Sequence, residues 1–249
     1  MSTLILDDVC VSYGRVHAVC HLTGKFEAGS LTAIAGANGA GKSTLVKAIM
    51  GELPLTNGHI NQGKLTPQDI AYLPQTAEID RHFPLNLEDL VSLGSWRKNG
   101  AFRGLSNACL EETKDALRQV GLAGMEKRQI GSLSSGQFQR ALFARLLIQD
   151  ARVVILDEPF NAVDEQTTHD LLALILQWNK EGRTVLAILH DLEQIEQHFP
   201  NTLLLAREAV YWGDTRQALS VQNKQRAKSL IHYWDNPQSQ ISTPFKESA

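Results

Sequence analysis

The order of hydrophobic and polar positions divides the chain into a strand-rich start, a helical middle and a second strand-rich part. Over residues 3–35 apolar side chains recur at nearly every second position, with a turn at Gly14, which predicts strands. The Asn-Gly pair within Thr56–His59 is typical of a hairpin turn and predicts more antiparallel strand over residues 57–73.

The pattern becomes helical from Phe83 to about Leu147. Ser106 is a typical N-cap residue for a helix that runs to Val120, and Gly121 is a typical stop just beyond it. Uninterrupted apolar runs after this region predict buried strands. These runs are Val153–Leu156, Thr184–Leu189 and Leu203–Leu205. Strands and helices around a helical middle predict an α/β core with a helical insertion.

Composition excludes several classes of protein. Of the 249 residues, 43% are hydrophobic and 20% are charged, as in ordinary globular domains. The net charge of −3 argues against a general nucleic-acid binder, which would carry a basic excess. No apolar stretch reaches about 18 residues, and residues 1–8 lack the pattern of a secretory signal. We therefore expect neither a membrane span nor an export signal.

The cysteines and histidines form no metal motif along the sequence. Cys10, Cys20 and Cys109 have no metal-ligand spacing, and the eight histidines are scattered along the chain. The sequence therefore predicts reduced thiols and no structural zinc site. Histidines such as His59 are expected to be solvated surface side chains.

The strongest chemical signal is Gly36–Ser43, which fits the phosphate-binding pattern Gly-x-x-x-x-Gly-Lys-Ser/Thr between a predicted strand and a predicted helix. Its glycines let backbone N–H groups turn towards an anion, and the helix directs the positive end of its dipole at that anion. Lys42 adds a charge for the β- and γ-phosphates, and Ser43 can bind Mg²⁺. The candidate nucleotide-binding residues here are Gly36, Ala37, Asn38, Gly39, Ala40, Gly41, Lys42, Ser43 and Thr44.

A pair of carboxylates follows the apolar run Val153–Leu156. The strand would deliver Asp157 to the edge of a sheet, where its carboxylate can hold Mg²⁺ through water. Glu158 would then be placed to polarise the attacking water as a general base. An Asp-Glu pair after a hydrophobic strand is common by itself, but together with the phosphate loop it predicts a site for nucleotide hydrolysis.

The segment Leu133-Ser134-Ser135-Gly136-Gln137 connects the chain to a known family. With Gln139-Arg140 and Ala144-Arg145 after it, this segment is close to the Leu-Ser-Gly-Gly-Gln signature of the ATP-binding subunits of ABC transporters. The chain resembles these subunits over roughly residues 3–215. Ser135 departs from the family's glycine, which should cost some backbone freedom while keeping a small polar residue beside the phosphate.

The resemblance assigns roles to further residues. It implies that Tyr13 stacks on adenine, that Gln75 reaches Mg²⁺ and transmits motion to the membrane partner, and that His190 contacts the γ-phosphate. Asp164, at the end of Asn161–Asp164, would cross a dimer interface. The implied catalytic residues are Glu158, His190, Lys42 and Gln75, and the implied Mg²⁺ ligands are Ser43, Gln75 and Asp157.

The resemblance also implies an architecture. The fold class would be α/β, a P-loop NTPase ABC ATPase core with an antiparallel β subdomain and a helical subdomain over about residues 83–147. One ATP-binding domain would occupy residues 1–234, followed by a flexible tail over residues 235–249. Two copies would bind two ATP molecules head to tail, with Ser134–Gln137 and Asp164 of one copy facing the phosphate loop of the other. ATP would favour the closed dimer, and hydrolysis would release it.

Two classes of function fit such an ATPase without a membrane span. The first is the energy-coupling subunit of a bacterial importer, bound to permease subunits at the cytoplasmic face of the inner membrane and served by an exported substrate-binding protein. The second is a soluble ATPase of DNA repair or ribosome function. About ninety residues separate Ser43 from Leu133, too few for the coiled coil of the DNA-repair members, and ribosome-acting members usually carry two cassettes. The importer is therefore favoured, with no nucleic acid as a partner.

The cargo is inferred by resemblance from segments that follow Gln75 and from one segment that precedes the signature. The segments that resemble the subunits of zinc, manganese and iron importers are Ile79–Asp80, Phe83–Leu85, Leu87–Val91 with Gly94, and Arg128–Gly131. The same residues could instead simply pack the helical subdomain where it meets the permease. They would then give no information about the cargo. We expect a transition metal, zinc or manganese, with an iron chelate or cobalamin as the alternative.

Overall fold

The structure is a computed structural model that describes residues 3–14, 16–75, 79–81, 83–96, 106–161 and 163–235. Its contacts divide the chain into two compact units. The signature unit comprises Glu27–Leu31 and Gln62–Ala187, and the phosphate-loop unit comprises Thr3–Phe26, Thr32–Asn61 and the chain from Ile188 onwards. The predicted tail lies almost entirely outside the described residues, which end at residue 235.

The described elements follow one another along the chain with short connections. The strands are β1 (Leu4–Tyr13), β2 (Val16–Phe26), β3 (Leu31–Ala35), β4 (Asn57–Asn61), β5 (Ile70–Leu73), β6 (Val153–Asp157), β7 (Thr184–Ile188), β8 (Asn201–Leu205) and β9 (Ala209–Asp214). The α-helices are α1 (Lys42–Ile49), α2 (Leu87–Ser92), α3 (Asn107–Gln119), α4 (Ser135–Gln149), α5 (Glu165–Lys180), α6 (Leu192–His198), α7 (Thr215–Ala218) and α8 (Val221–Asp235).

The phosphate-loop unit contains a three-stranded antiparallel sheet in the order β2-β1-β4. Leu4 and Leu6 of β1 are fully or almost fully buried, as the predicted alternation requires, and Val9 is buried beyond an irregularity in the pairing that follows Leu6. In the same unit β8 pairs in parallel with β3 and antiparallel with β9. The fully buried strand β3 is thereby positioned to deliver the phosphate loop that follows it.

The prediction of antiparallel strand over residues 57–73 is correct for β4 and wrong for β5. Strand β5 pairs in parallel with β6, with Leu73 opposite Leu156. Gly58 does not turn a hairpin: it lets two backbones approach, because a Cβ there would lie 2.2 Å from the Asp8 carbonyl oxygen. The chain then leaves the antiparallel sheet, since Thr66 caps a short 3₁₀ turn at Pro67–Asp69.

The signature unit carries β5, β6 and β7 as neighbouring strands, with helices α2 to α5. Ser106 caps α3 and Gly121 follows its end with φ of 72°, which confirms the predicted bounds of that helix. Phe143 of α4 stacks on Trp178 of α5 at 5.6 Å between ring centres, and both side chains are buried. Within the described residues, no helix is long and apolar enough to cross a membrane.

Candidate nucleotide-binding and hydrolysis site

The phosphate loop joins the buried strand β3 to helix α1. Gly41 is the N-cap of α1 and has φ of 94°, and a Cβ there would lie 2.3 Å from the Ala18 carbonyl oxygen. Gly36 is equally constrained, because its Cβ would lie 2.3 Å from the Leu205 carbonyl oxygen. Both positions therefore require glycine. The loop leads directly into the first turn of α1, whose free N–H groups can bind a phosphate.

The side chain of Lys42 reaches back to the start of the phosphate loop. Its Nζ donates hydrogen bonds to the carbonyl oxygens of Gly36 at 2.9 Å and Ala37 at 3.0 Å. The side chain is buried, with 6% of its surface exposed. The ammonium group is thus held against the backbone of the loop, where its charge would attract a phosphate group.

The structure brings His190 to the phosphate loop. His190 follows β7 and lines a cavity of about 580 Å³ together with Gly36 and Ala37. Lys224 and Lys228 of α8 line the same cavity and give it a basic side. The next residue, Asp191, caps α6 by accepting hydrogen bonds from the N–H groups of Glu193 and Gln194, so the backbone that presents His190 is fixed.

Tyr13 is the last residue of β1 and lies two positions after Val11. Its side chain is 52% exposed, which leaves an aromatic face accessible. Val11 of β1 pairs with Val19 of β2, and a Cβ at Gly41 would lie 2.9 Å from a methyl carbon of Val19. The strand that carries Tyr13 is therefore connected to the loop through β2.

In the signature unit, Gln75 and Glu158 meet after the ends of the parallel strands β5 and β6. The Gln75 side-chain amide donates a 2.7 Å hydrogen bond to Glu158 Oε2, and the Asn161 amide donates a second at 3.0 Å. Glu158 has φ of 51°, a left-handed conformation that costs a non-glycine residue about 1–2 kcal/mol. Such strain is typical of functional sites. Asp157, the last residue of β6, is 2% exposed.

The signature segment begins helix α4 with a capping box. Ser134 Oγ accepts from the Gln137 N–H, and Gln137 Oε1 accepts from the Ser134 N–H. Ser134 and Ser135 are exposed, whereas Gly136 is buried against α5. A Cβ at Gly136 would lie 3.1 Å from Thr167 Oγ1 and 3.3 Å from Asp164 Oδ2. The two segments that the resemblance assigned to a dimer interface are therefore neighbours in one chain.

We expect Ser135→Gly to change ATPase turnover by no more than about twofold, because an exposed substitution alters free energies by about 0.5 kcal/mol or less. Ser135 is the first residue of α4 and is helical, so it does not need glycine's conformational freedom. Steady-state hydrolysis measures the effect. The neighbouring variant Gly136→Ala is the contrast, since its methyl group would press on Thr167 and Asp164 and should lower turnover more. A large loss in Ser135→Gly would contradict this assignment.

Asp164 caps helix α5. Its Oδ1 accepts from the Thr167 N–H at 2.8 Å and its Oδ2 from Thr167 Oγ1 at 2.9 Å. These hydrogen bonds from the backbone and side chain of Thr167 hold the pKa of Asp164 below its ordinary value of 3.8. The carboxylate is exposed, so its charge is presented to solvent or to a partner surface.

We expect Asp164→Ala to lower the melting temperature near neutral pH by removing the cap of α5. Because the folded pKa is depressed, the stabilisation is present above the ordinary value of 3.8 and is lost as the pH falls through the lower folded value. The difference in melting temperature between the two proteins should therefore shrink on acidification. Asp164→Asn is the control, since asparagine caps well without charge. A difference that does not vary with pH would show that the charge contributes nothing.

Several residues that support the site were not predicted as site residues. Asn161 begins the segment Asn161–Asp164, but the sequence does not predict its hydrogen bond to Glu158. Arg81 donates from Nη2 to the Leu133 carbonyl oxygen, and its guanidinium lies over the Phe138 ring at 4.9 Å from the centroid. Gln139 donates to the Pro159 carbonyl oxygen at 2.7 Å, next to Glu158. Arg81 therefore holds the start of the signature segment and Gln139 ties helix α4 to Pro159, whereas Asn161 orients Glu158.

A glycine-constrained loop between a buried strand and a helix, crossed by a buried lysine, defines a nucleotide-binding protein of the phosphate-loop class. Comparison with known proteins gives the family. Residues 19–161 match the family described as ABC transporter, and the chain belongs to that family. The fold and the signature segment agree with this membership, which confirms the resemblance drawn from Leu133–Gln137.

Similar proteins span nearly the same length as this chain. The manganese transport system ATP-binding protein MntB of Bacillus subtilis is 36% identical over 225 residues, which cover 89% of this chain and 90% of that protein. The zinc transport system ATP-binding protein TroB of Treponema pallidum is 34% identical over 226 residues, 89% and 85% of the two chains. A solved ABC transporter in an inward-facing conformation, assigned to the metal-chelate type, has a TM-score of 0.81 and 26% identity, covering 92% and 90%.

Proposed function

We propose that this protein is the ATP-hydrolysing, energy-coupling subunit of a bacterial ABC importer for a transition metal, zinc or manganese. The main support for this choice of cargo is the similarity to the manganese and zinc transport ATP-binding proteins, which align with 89% of this chain. A metal chelate is the second candidate, supported by the solved metal-chelate type transporter at the lower identity of 26%.

The nucleotide roles divide between the two units. In the phosphate-loop unit, Lys42 and the backbone of the loop would bind the β- and γ-phosphates, His190 would contact the γ-phosphate, and Tyr13 would stack on adenine. The cavity that His190 shares with Gly36 and Ala37 supports this assignment. In the signature unit, Glu158 would take a proton from the attacking water, because its carboxylate is oriented by Gln75 and Asn161.

Magnesium fits the oxygen ligands that the motifs provide. Ser43, Gln75 and Asp157 would hold the ion, directly or through water, and they offer a hydroxyl, an amide carbonyl and a carboxylate. The side-chain amide nitrogen of Gln75 donates a hydrogen bond to Glu158. The carbonyl oxygen of the same amide is an acceptor of the kind that binds Mg²⁺. When bound, Mg²⁺ would neutralise charge on the β- and γ-phosphates during transfer.

A second copy of the chain would complete each ATP site. Ser134, Ser135, Gly136, Gln137 and Asp164 of one copy would face the phosphate loop of the other. The exposure of Ser134, Ser135 and Asp164 supports this, because these polar groups are presented at the surface. ATP would stabilise the closed dimer through contacts that ADP cannot make, so hydrolysis would open it. Permease subunits would hold the dimer at the cytoplasmic face of the membrane, and an exported binding protein would supply the cargo.

We expect Arg81→Ala to reduce turnover by about 10- to 100-fold with a smaller change in KM, because a lost hydrogen bond from a charged group costs about 1.5–3 kcal/mol. Arg81 acts through Leu133 as a positioning residue and would not touch the nucleotide. Arg81→Lys keeps the charge and should restore part of kcat, whereas Arg118→Ala on the exposed face of α3 is a neutral control. A rise in KM alone would argue against a role in positioning the signature.

Metal accumulation in the bacterium that carries the gene tests the proposed function. We expect deletion to lower the uptake of zinc or manganese, the wild-type chain to restore it and Glu158→Gln to fail. Glu112→Gln, an exposed carboxylate substitution on α3, should restore uptake as fully as the wild type. Loss of iron-chelate or cobalamin uptake alone would favour the second cargo. Unchanged uptake together with co-purification with ribosomes or DNA would favour a soluble ATPase.

A further inference from the structure

Three potential metal ligands from the paired strands β1 and β2 meet on the antiparallel sheet. Asp8, Cys10 and His21 each offer a ligand atom, and these oxygen, sulfur and nitrogen atoms all lie within 4.8 Å of one another. The sequence predicted no zinc site because the three residues belong to two strands and fit no spacing motif. We propose that they form a binding site for a divalent transition metal, with Zn²⁺ as the preferred ion.

Irregular strand pairing creates this cluster. Val9 of β1 lies opposite Leu22, but Val11 lies opposite Val19, so Cys10 alone faces two residues of β2. This β-bulge turns His21 towards Cys10, and the His21 N–H donates to Cys10 Sγ at 3.1 Å. Asp8 and His21 have φ of 50° and 47°, left-handed conformations that direct both side chains to the same place.

The ligand atoms are close to the separations that a metal ion needs. His21 Nδ1 and Asp8 Oδ1 are 2.7 Å apart. Around a tetrahedral Zn²⁺ with bonds of about 2.0–2.2 Å, such atoms would lie roughly 3.4 Å apart. The two side chains therefore need to open by less than 1 Å. Because 74% of the His21 side chain and 49% of the Asp8 side chain are exposed, a small change of side-chain angle achieves this.

Neighbouring groups orient the ligands. Asn57 donates a 2.6 Å hydrogen bond to Asp8 Oδ2, which leaves Oδ1 directed at His21. Hydrogen bonds of this kind hold metal-binding carboxylates in place in known sites. Cys10 is 6% exposed, so its sulfur forms the inner wall, while Asp8 and His21 form the outer rim. Water would supply the fourth ligand on the exposed side.

The chemistry of the three ligands selects zinc over manganese and magnesium. Thiolate and imidazole favour Zn²⁺, whereas Mn²⁺ and Mg²⁺ favour carboxylate, carbonyl and water oxygens. Binding would displace the thiol proton of Cys10 to solvent and would form a Zn–S bond. The site is therefore chemically distinct from the oxygen ligands proposed for Mg²⁺ at the nucleotide, and the proposal does not depend on transport or on its cargo.

Zinc titration of the full chain tests the proposal, using Zn²⁺ alone in competition with a chromogenic chelator. The protein is nucleotide-free, kept reduced and freed of any affinity tag. We expect one bound equivalent, with affinity at least about tenfold lower in Cys10→Ser and His21→Asn, the loss typical when a metal site is altered. Asparagine suits position 21 because it tolerates the left-handed backbone.

Two variants provide matched controls. Asp7 and His59 form a similar exposed pair, 3.7 Å apart, on the same sheet, so His59→Asn should leave zinc affinity unchanged. Cys109→Ser removes a buried cysteine of the signature unit and should also have no effect. Co²⁺ in place of Zn²⁺ should give a thiolate charge-transfer band that Cys10→Ser abolishes. Absence of zinc binding by the wild type, or unchanged binding in Cys10→Ser and His21→Asn, would overturn the proposal.

Discussion

Replacing Glu158 by glutamine is expected to lower ATP turnover by about 10²- to 10⁴-fold, the range that general-base catalysis contributes. The carboxylate accepts hydrogen bonds from Gln75 and Asn161, which orient it. Glutamine keeps the shape of the side chain and one acceptor oxygen, so the local fold should persist. Steady-state phosphate release measures the loss.

The same variant should still bind ATP and should accumulate as a dimer. Contacts to the γ-phosphate would form normally, but the step that breaks them would be blocked, so ATP would shift the population towards the closed state. Size-exclusion chromatography with ATP measures this shift, and ADP should not produce it. Glu112→Gln is the control and should behave as the wild type in both assays. Normal steady-state hydrolysis in Glu158→Gln would remove Glu158 from the role of general base.

Features that are determined by neighbouring residues were predictable from the sequence. The phosphate loop is specified within Gly36–Ser43, and the predicted strand, glycine turns and helix are all present. Ser106 likewise caps its own helix. These predictions succeed because a cap, a turn or a strand periodicity depends on local backbone preferences.

Contacts between distant residues were not predictable in this way. Gln75 and Glu158 are 83 positions apart, and Arg81 reaches Leu133 across 52. The cluster at Asp8 depends on a β-bulge, and one shifted pairing changes which side chains meet. The parallel pairing of β5 was missed for the same reason, because the Asn-Gly signal says nothing about which strand β5 will join.

Replacing Lys42 by alanine is expected to weaken ATP binding by on the order of 10- to 100-fold, since a hydrogen bond from a charged group contributes about 1.5–3 kcal/mol. The variant loses the charge for the phosphates and also the two hydrogen bonds that Nζ donates to Gly36 and Ala37. Calorimetric titration with ATP measures the change. Lys47→Ala, an exposed lysine near the end of the same helix, should leave ATP affinity nearly unchanged. Equal ATP affinity in Lys42→Ala and the wild type would contradict the assignment of the loop, because a buried ammonium group beside a phosphate cannot be removed without cost.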